Sequence, residues 1–168
     1  MRRYLAPLAV ALAVIAALVL VEVLSGSSGN SKPRPAPPLP PAVLVPPKQT
    51  IASLRGRPAL VTFWASWCDP CRKEAPDLER FWRSLGSRGQ LVGVDYTDAA
   101  GGARDFIRQY GWTFPNLGDP NGTYGERYRF TGLPSTAVID REGRITEILR
   151  GPQTVSSLNA ALDSVSSR

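Results

Sequence analysis

Histidine is absent from this 168-residue chain, and cysteine occurs only twice, at Cys68 and Cys71. Without an imidazole there is no Ser–His or Cys–His catalytic pair, no histidine metal ligand and no histidine pH switch. Two cysteines cannot build a four-thiolate zinc site within one chain. A covalently attached c-type haem needs histidine straight after the second cysteine, where Arg72 stands here. No metal or other cofactor is therefore expected. Charge of one sign is also in short supply. The formal net charge is +6, and residues 1–48 hold +4 of it through Arg2, Arg3, Lys32, Arg34 and Lys48 against Glu22. The remaining +2 is scattered without a basic stripe, so nucleic acid is not an expected partner. Chemistry must run through two thiols, or through carboxylates and hydroxyls.

Long apolar runs are confined to the N-terminus. Arg2-Arg3 is followed by an uncharged stretch from Tyr4 to Val21, extended by Val23 and Leu24. About 20 residues at 1.5 Å rise span about 30 Å, the hydrocarbon thickness of a bilayer. A cleaved signal peptide has a shorter apolar region and a small-x-small exit, so residues 1–24 are expected to be an uncleaved signal anchor. The two arginines would stay in the cytoplasm and send the C-terminal part across the membrane, to make a single-pass, extracytoplasmic protein. Residues 25–31 are rich in Ser and Gly, and residues 33–47 contain eight prolines. That composition favours extended polyproline II, so 25–48 reads as a spacer and 49–168 as the folded domain. Nothing in the sequence predicts more than a monomer.

The remainder alternates strand and helix. Ala59–Ala65 is apolar and β-prone, as a strand buried on both faces should be. Pro70 suits the first turn of a helix, within which Pro76 is expected to give a kink. Leu78, Phe81, Trp82 and Leu85 continue that helix at helical spacing. Further expectations are a strand over 90–96, a helix over 100–110, an extended piece over 114–117 and a short helix over 122–129. A hairpin over 135–150 and a last helix capped by Thr154 complete the chain. This order gives an α/β fold, a mixed sheet with helices on both faces. Asp95, Asp98 and Asp119 fit no cation-binding loop and read as strand-end and turn residues. Trp64, Trp82 and Trp112 read as core aromatics.

The chemistry concentrates at Trp67-Cys68-Asp69-Pro70-Cys71. Here a buried strand meets a helix, and the first thiol sits where unpaired N–H groups and the helix dipole favour thiolate. Such thiols can have pKa values of roughly 3.5–7.5 against about 8.5 for free cysteine. Cys68 is therefore the expected nucleophile, and Cys71, one turn on, the resolving thiol. An inert structural disulfide is the competing reading, but so small a ring constrains little of the unfolded chain. Asp69 works against a thiolate beside it, which predicts a less oxidising protein than a neutral residue would give.

The run Phe-Trp-Ala-Ser-Trp-Cys-Asp-Pro-Cys-Arg-Lys-Glu-Ala-Pro (63–76), with Gly-Leu-Pro-Ser-Thr-Ala-Val-Ile-Asp-Arg-Glu-Gly (132–143), resembles the thioredoxin superfamily. Within it the likeness is to the membrane-anchored TlpA/ResA/DsbE-like branch. The resemblance covers roughly residues 50–166 and implies a thioredoxin-like fold, with the extra central helix and strand of this branch over 98–119. It implies that Pro134 is the cis-proline facing the first cysteine and docking substrate backbone. It also implies that Glu74 is the buried acid that moves protons at the thiols, and that Trp67 covers the disulfide. Thr62 stands where thioredoxin has its buried acid, which leaves Glu74 as the proton relay. The implied activity is protein-disulfide reduction outside the cytoplasm. Electrons would come from a membrane thiol carrier of the DsbD/CcdA kind, and oxidised proteins such as apocytochrome c would receive them. A disulfide-forming oxidase is the alternative. A thiol peroxidase or a Sco-type copper-delivery module is more remote, because Thr-x-x-Cys, Cys-x-x-x-Cys and histidine are all missing.

Overall fold

The computed structural model describes residues 32–166. The expected signal anchor (1–24) and the first part of the expected spacer (25–31) lie outside them. Among the described residues no helix is long and apolar enough to cross a membrane.

The elements are β1 (Arg34–Pro35), β2 (Ala42–Val45), α1 (Ile51–Leu54), β3 (Ala59–Trp64), α2 (Asp69–Leu85) and β4 (Gln90–Tyr96). They continue with α3 (Ala100–Tyr110), β5 (Asn116–Asp119), a 3₁₀ turn (Gly125–Tyr128), β6 (Ser135–Ile139), β7 (Arg144–Arg150) and α4 (Val155–Ser166). Seven strands form one mixed sheet in the order β1-β7-β6-β3-β4-β5-β2. β3, β4 and β5 run parallel, with Trp64 opposite Asp95 and Asp95 opposite Gly118. β6 and β7 are antiparallel. β3 is fully buried along its length, as a central strand between two covered faces must be.

Strand alternation divides the core in two. Leu60, Trp64, Leu91 and Val138 face α2, α3 and α4 through Leu78, Phe81, Phe106 and Leu162. Val61, Phe63, Val92 and Ile139 face the other way, against Leu54, Tyr128 and Leu39. The flanking helices are therefore unevenly shared: the three long ones lie on one face, and α1 and the 3₁₀ turn help to cover the second.

The second face corrects the expected spacer, which ends before residue 34. β1 pairs with β7 at one edge of the sheet, and β2 pairs with β5 at the opposite edge. Between them the proline-rich segment straps the second face and buries Leu39 to 7% exposure. Tyr128 Oη donates to Pro37 O at 2.7 Å, and Arg34 Nη2 donates to Tyr128 O at 2.7 Å. Prolines suit this place because an edge strand or a strap does not need every N–H for a ladder. α2 runs as one helix with Pro76 inside it.

Candidate active site

Cys68 is the residue at which β-type backbone turns into α2. It caps the helix: its Sγ accepts from Cys71 N–H at 3.2 Å, and Pro70 occupies the first turn, where its missing N–H costs no hydrogen bond. Cys68 and Cys71 form a disulfide with Sγ–Sγ 2.02 Å and Cα–Cα 5.3 Å. Cys71 is fully buried, whereas Cys68 is 4% exposed and opens into a groove of about 560 Å³. Trp67, Pro70, Tyr96, Phe130 and Leu133 line the groove beside it. The asymmetry is the one a nucleophile and a resolving thiol require.

The other expected site residues arrive from separate elements. Trp67 is 57% exposed on the groove wall, and its indole N–H donates to Thr97 O at 3.2 Å. Pro134 follows a cis peptide bond after Leu133 and begins the approach to β6 next to the groove. Glu74, one turn after Cys71, is 1% exposed. One of its oxygens accepts from Gln153 N–H at 2.9 Å and the other has no partner among the described residues. Burial pushes its carboxyl up to about 8, against the pull of the Gln153 N–H and with a small push from Asp77. Asp69 is exposed and lies 3.6 Å from Arg72. Thr62, at the position of the missing acid, is buried opposite Thr136 on β6. Trp64 and Trp112 are core residues as expected, and Trp82 is partly buried against the same cluster.

Sequence reasoning missed a second buried carboxyl with a raised pKa, that of Asp95. Asp95, Asp98 and Asp119 do lie at strand ends and turns, but Asp95 is 2% exposed, with one oxygen unpartnered among the described residues. Burial, then the charge and hydrogen-bonding contact of Asp98, then Asp119, push its carboxyl up to about 8. The available signal was alternation. Leu91, Gly93 and Asp95 share a strand face, and that face turns to the helices. Gly93 is pinned there, since a Cβ on it would meet the Asn116 side chain at 1.9 Å.

Comparison with known proteins agrees with this geometry. The AhpC/TSA family model matches residues 46–148. Thiol-disulfide oxidoreductase ResA of Oceanobacillus iheyensis is 31% identical over 116 residues, 68% of this chain and 60% of ResA. Thiol:disulfide interchange protein HelX of Rhodobacter capsulatus is 38% identical over 117 residues, 68% of this chain and 64% of HelX. The matched region thus spans less than two thirds of either relative. The crystal structure of a DsbF homologue from Corynebacterium diphtheriae superimposes with a TM-score of 0.70 at 25% identity, covering 82% of this chain and 89% of that one. With the family model matched over residues 46–148 and the disulfide seated at a helix N-terminus on a mixed sheet, the chain belongs to the AhpC/TSA family and has a thioredoxin-like fold.

Proposed function

We propose that this chain is a thiol-disulfide oxidoreductase working in the reductase direction on oxidised proteins outside the cytoplasm, held at the membrane by residues 1–24. The observation that carries the reading is the Cys68–Cys71 disulfide, with Cys68 facing a groove and Cys71 sealed behind it.

In the reduced protein the Cys68 thiolate attacks one sulfur of a substrate disulfide. The substrate S–S bond breaks, a mixed disulfide forms, and the displaced substrate sulfur takes up a proton. Cys71 then loses its proton to Glu74 in the fraction of molecules in which that carboxyl is ionised, a fraction that grows as pH approaches about 8, and attacks Cys68 Sγ. The Cys68–Cys71 disulfide closes, and the second substrate sulfur leaves and is protonated in turn. Two electrons have passed to the substrate, and a membrane thiol carrier of the DsbD/CcdA kind returns them. Trp67 and Leu133 both line the entrance, with the backbone before Pro134 docking the substrate chain.

The acidic residue between the thiols and the absence of any histidine favour reduction. A thiolate gains least stabilisation beside an acid, and a protein whose reduced form is less stabilised is a weaker oxidant. The resemblance to the TlpA/ResA/DsbE-like branch makes oxidised haem-protein precursors such as apocytochrome c the first substrates to try. The test is the reduction potential of the pair together with insulin reduction by the full chain in detergent. A potential below about −220 mV and activity lost in Cys68→Ser are expected; a value near −120 mV sinks the reductase direction and makes the protein a disulfide donor.

A further inference from the structure

We propose that Asp98 is a positioning residue for the dithiol chemistry: its carboxyl group, seated on the buried Asp95, fixes the Ser66–Trp67 turn that presents Cys68. Only the Cys68–Cys71 exchange chemistry of the proposed function is assumed, in either direction of electron flow.

The peptide groups around Ser66 are gripped on both sides. Asp98 Oδ2 accepts from Ser66 N–H at 2.6 Å, and Arg72 Nη2 donates to Ser66 O at 2.7 Å. The next residue, Trp67, donates its indole N–H to Thr97 O. Two consecutive residues of one turn thus make three contacts. Thr97 holds its carbonyl with φ +52°, a left-handed conformation that a β-branched residue adopts only under constraint. The constraint is visible: Thr97 N–H donates to Asp119 O at 3.0 Å, and Asp98 Oδ1 accepts from Ala99 N–H at 2.7 Å. Gly102 leaves the room, because a Cβ there would lie 2.6 Å from Ser66 Oγ. The turn that carries the nucleophile is therefore built against the β4–α3 turn.

Asp95 lies beneath this contact. It projects from the penultimate residue of β4 on the helix side, opposite Trp64, with one buried oxygen unpartnered among the described residues. The groups that bear on it are Asp98 from its own turn and Asp119 from β5, both acidic. From α2, Arg72 turns to Ser66 O and also lies 3.6 Å from Asp69. A proton on Asp95 therefore removes like-charge repulsion at the point where Asp98 must hold Ser66. Burial and Asp98 keep that proton up to about pH 8. Above it two adjacent carboxylates repel, and the grip on Ser66 loosens.

The test follows reduction of the oxidised full chain, in detergent, by dithiothreitol, with rates normalised to the reagent's thiolate concentration between pH 6 and 9.5. In the wild type the normalised rate is expected to fall as pH rises through about 8. Asp95→Asn, which is neutral at all these values, is expected to diminish the fall, leaving the share that Glu74, held to about the same value, contributes. Asp98→Ala should slow reduction roughly tenfold at pH 7, the equivalent of one lost charge-assisted hydrogen bond. Asp98→Asn keeps an acceptor oxygen and should recover most of that loss. The Ser66 amide proton, followed by NMR, should lie downfield at pH 6 and move upfield over the interval in which the rate falls. An Asp95→Asn profile that superimposes on the wild type, or a Ser66 resonance indifferent to pH, overturns the assignment. Because dithiothreitol reports on the dithiol in place, this result is separate from whether insulin is reduced.

Discussion

At the scale of the residue, the fold keeps two buried carboxylic acids protonated, Glu74 on α2 and Asp95 on β4. Each is a stability statement as well as a chemical one. Glu74 has an ordinary value of 4.5 and is held at about 8 in the folded protein. Between those values the folded state keeps a proton that the unfolded chain releases. This contribution to stability is therefore fully present below about pH 4.5, declines as pH rises, and is lost above about pH 8. Asp95 acts with the same sign from 3.8 to about 8. The urea midpoint of the oxidised protein is expected to fall from pH 5 to pH 8.5. Glu74→Gln should shrink that fall, and Glu74→Gln with Asp95→Asn should nearly level it. An undiminished fall in the double variant would show that neither acid is neutral in the folded state. Cys71→Ser gives a complementary reading of Cys68: if Cys68 is the nucleophile, the variant accumulates a mixed disulfide with oxidised substrate that non-reducing gels retain. Cys68→Ser should accumulate none.

At the scale of the element, most of what the sequence promises is realised, because local pattern and tertiary role coincide. β4 and β7 occupy the residues that their β-prone runs and flanking turns mark out, and α3 ends at Gly111, whose φ of +62° closes the helix. Cys68 and Cys71 are legible because a strand, a capping position and Pro70 agree on one helix start. Asp95 is less so: alternation puts it on the strand face of Leu91, but nothing local says whether that face is still covered at the end of the strand. Its burial is decided by α2 and α3 packing over the C-terminal ends of parallel strands. The same packing sets the demand on Gly93. Trp64 Nε1 donates to Asn116 Oδ1 at 3.0 Å in the space a side chain at 93 would fill. Gly93→Ala must displace this buried pair, and is expected to cost about 1–3 kcal/mol in chemical denaturation. Gly101→Ala is the control, since no atom lies within 4 Å of a Cβ there. It should be neutral or slightly stabilising, because alanine is the better helix former.

At the scale of the whole molecule, both edges of the sheet are closed by one segment whose composition conceals it. Eight prolines between 33 and 47 read as a spacer because proline cannot feed a ladder from the middle of a sheet. Here β1 and β2 need only short pairings, and the sheet they complete supplies the partners. Pairing of this kind depends on strands more than 70 residues away, which is why no local pattern announces it. The strap also covers the second core, where Leu39 is buried, and ties Tyr128 through Pro37 O. A chain starting at Ala42 would lose β1, Leu39 and that hydrogen bond and would leave β7 as an open edge. Burying one leucine is worth about 1.5–3 kcal/mol and a hydrogen bond about 1 kcal/mol. Compared with a chain starting at Lys32, the shorter fragment should therefore be less stable by at least about 2 kcal/mol. An unpaired edge strand is also a template for another chain, so the shorter fragment should self-associate as concentration rises, seen by sedimentation velocity. Leu39→Ala in the full chain separates the two effects. It removes apolar burial but keeps β1 in place, so it should lower stability without promoting association. If the fragments from Lys32 and Ala42 unfold at the same urea concentration and both stay monomeric, the strap is ornament and the domain is complete without it.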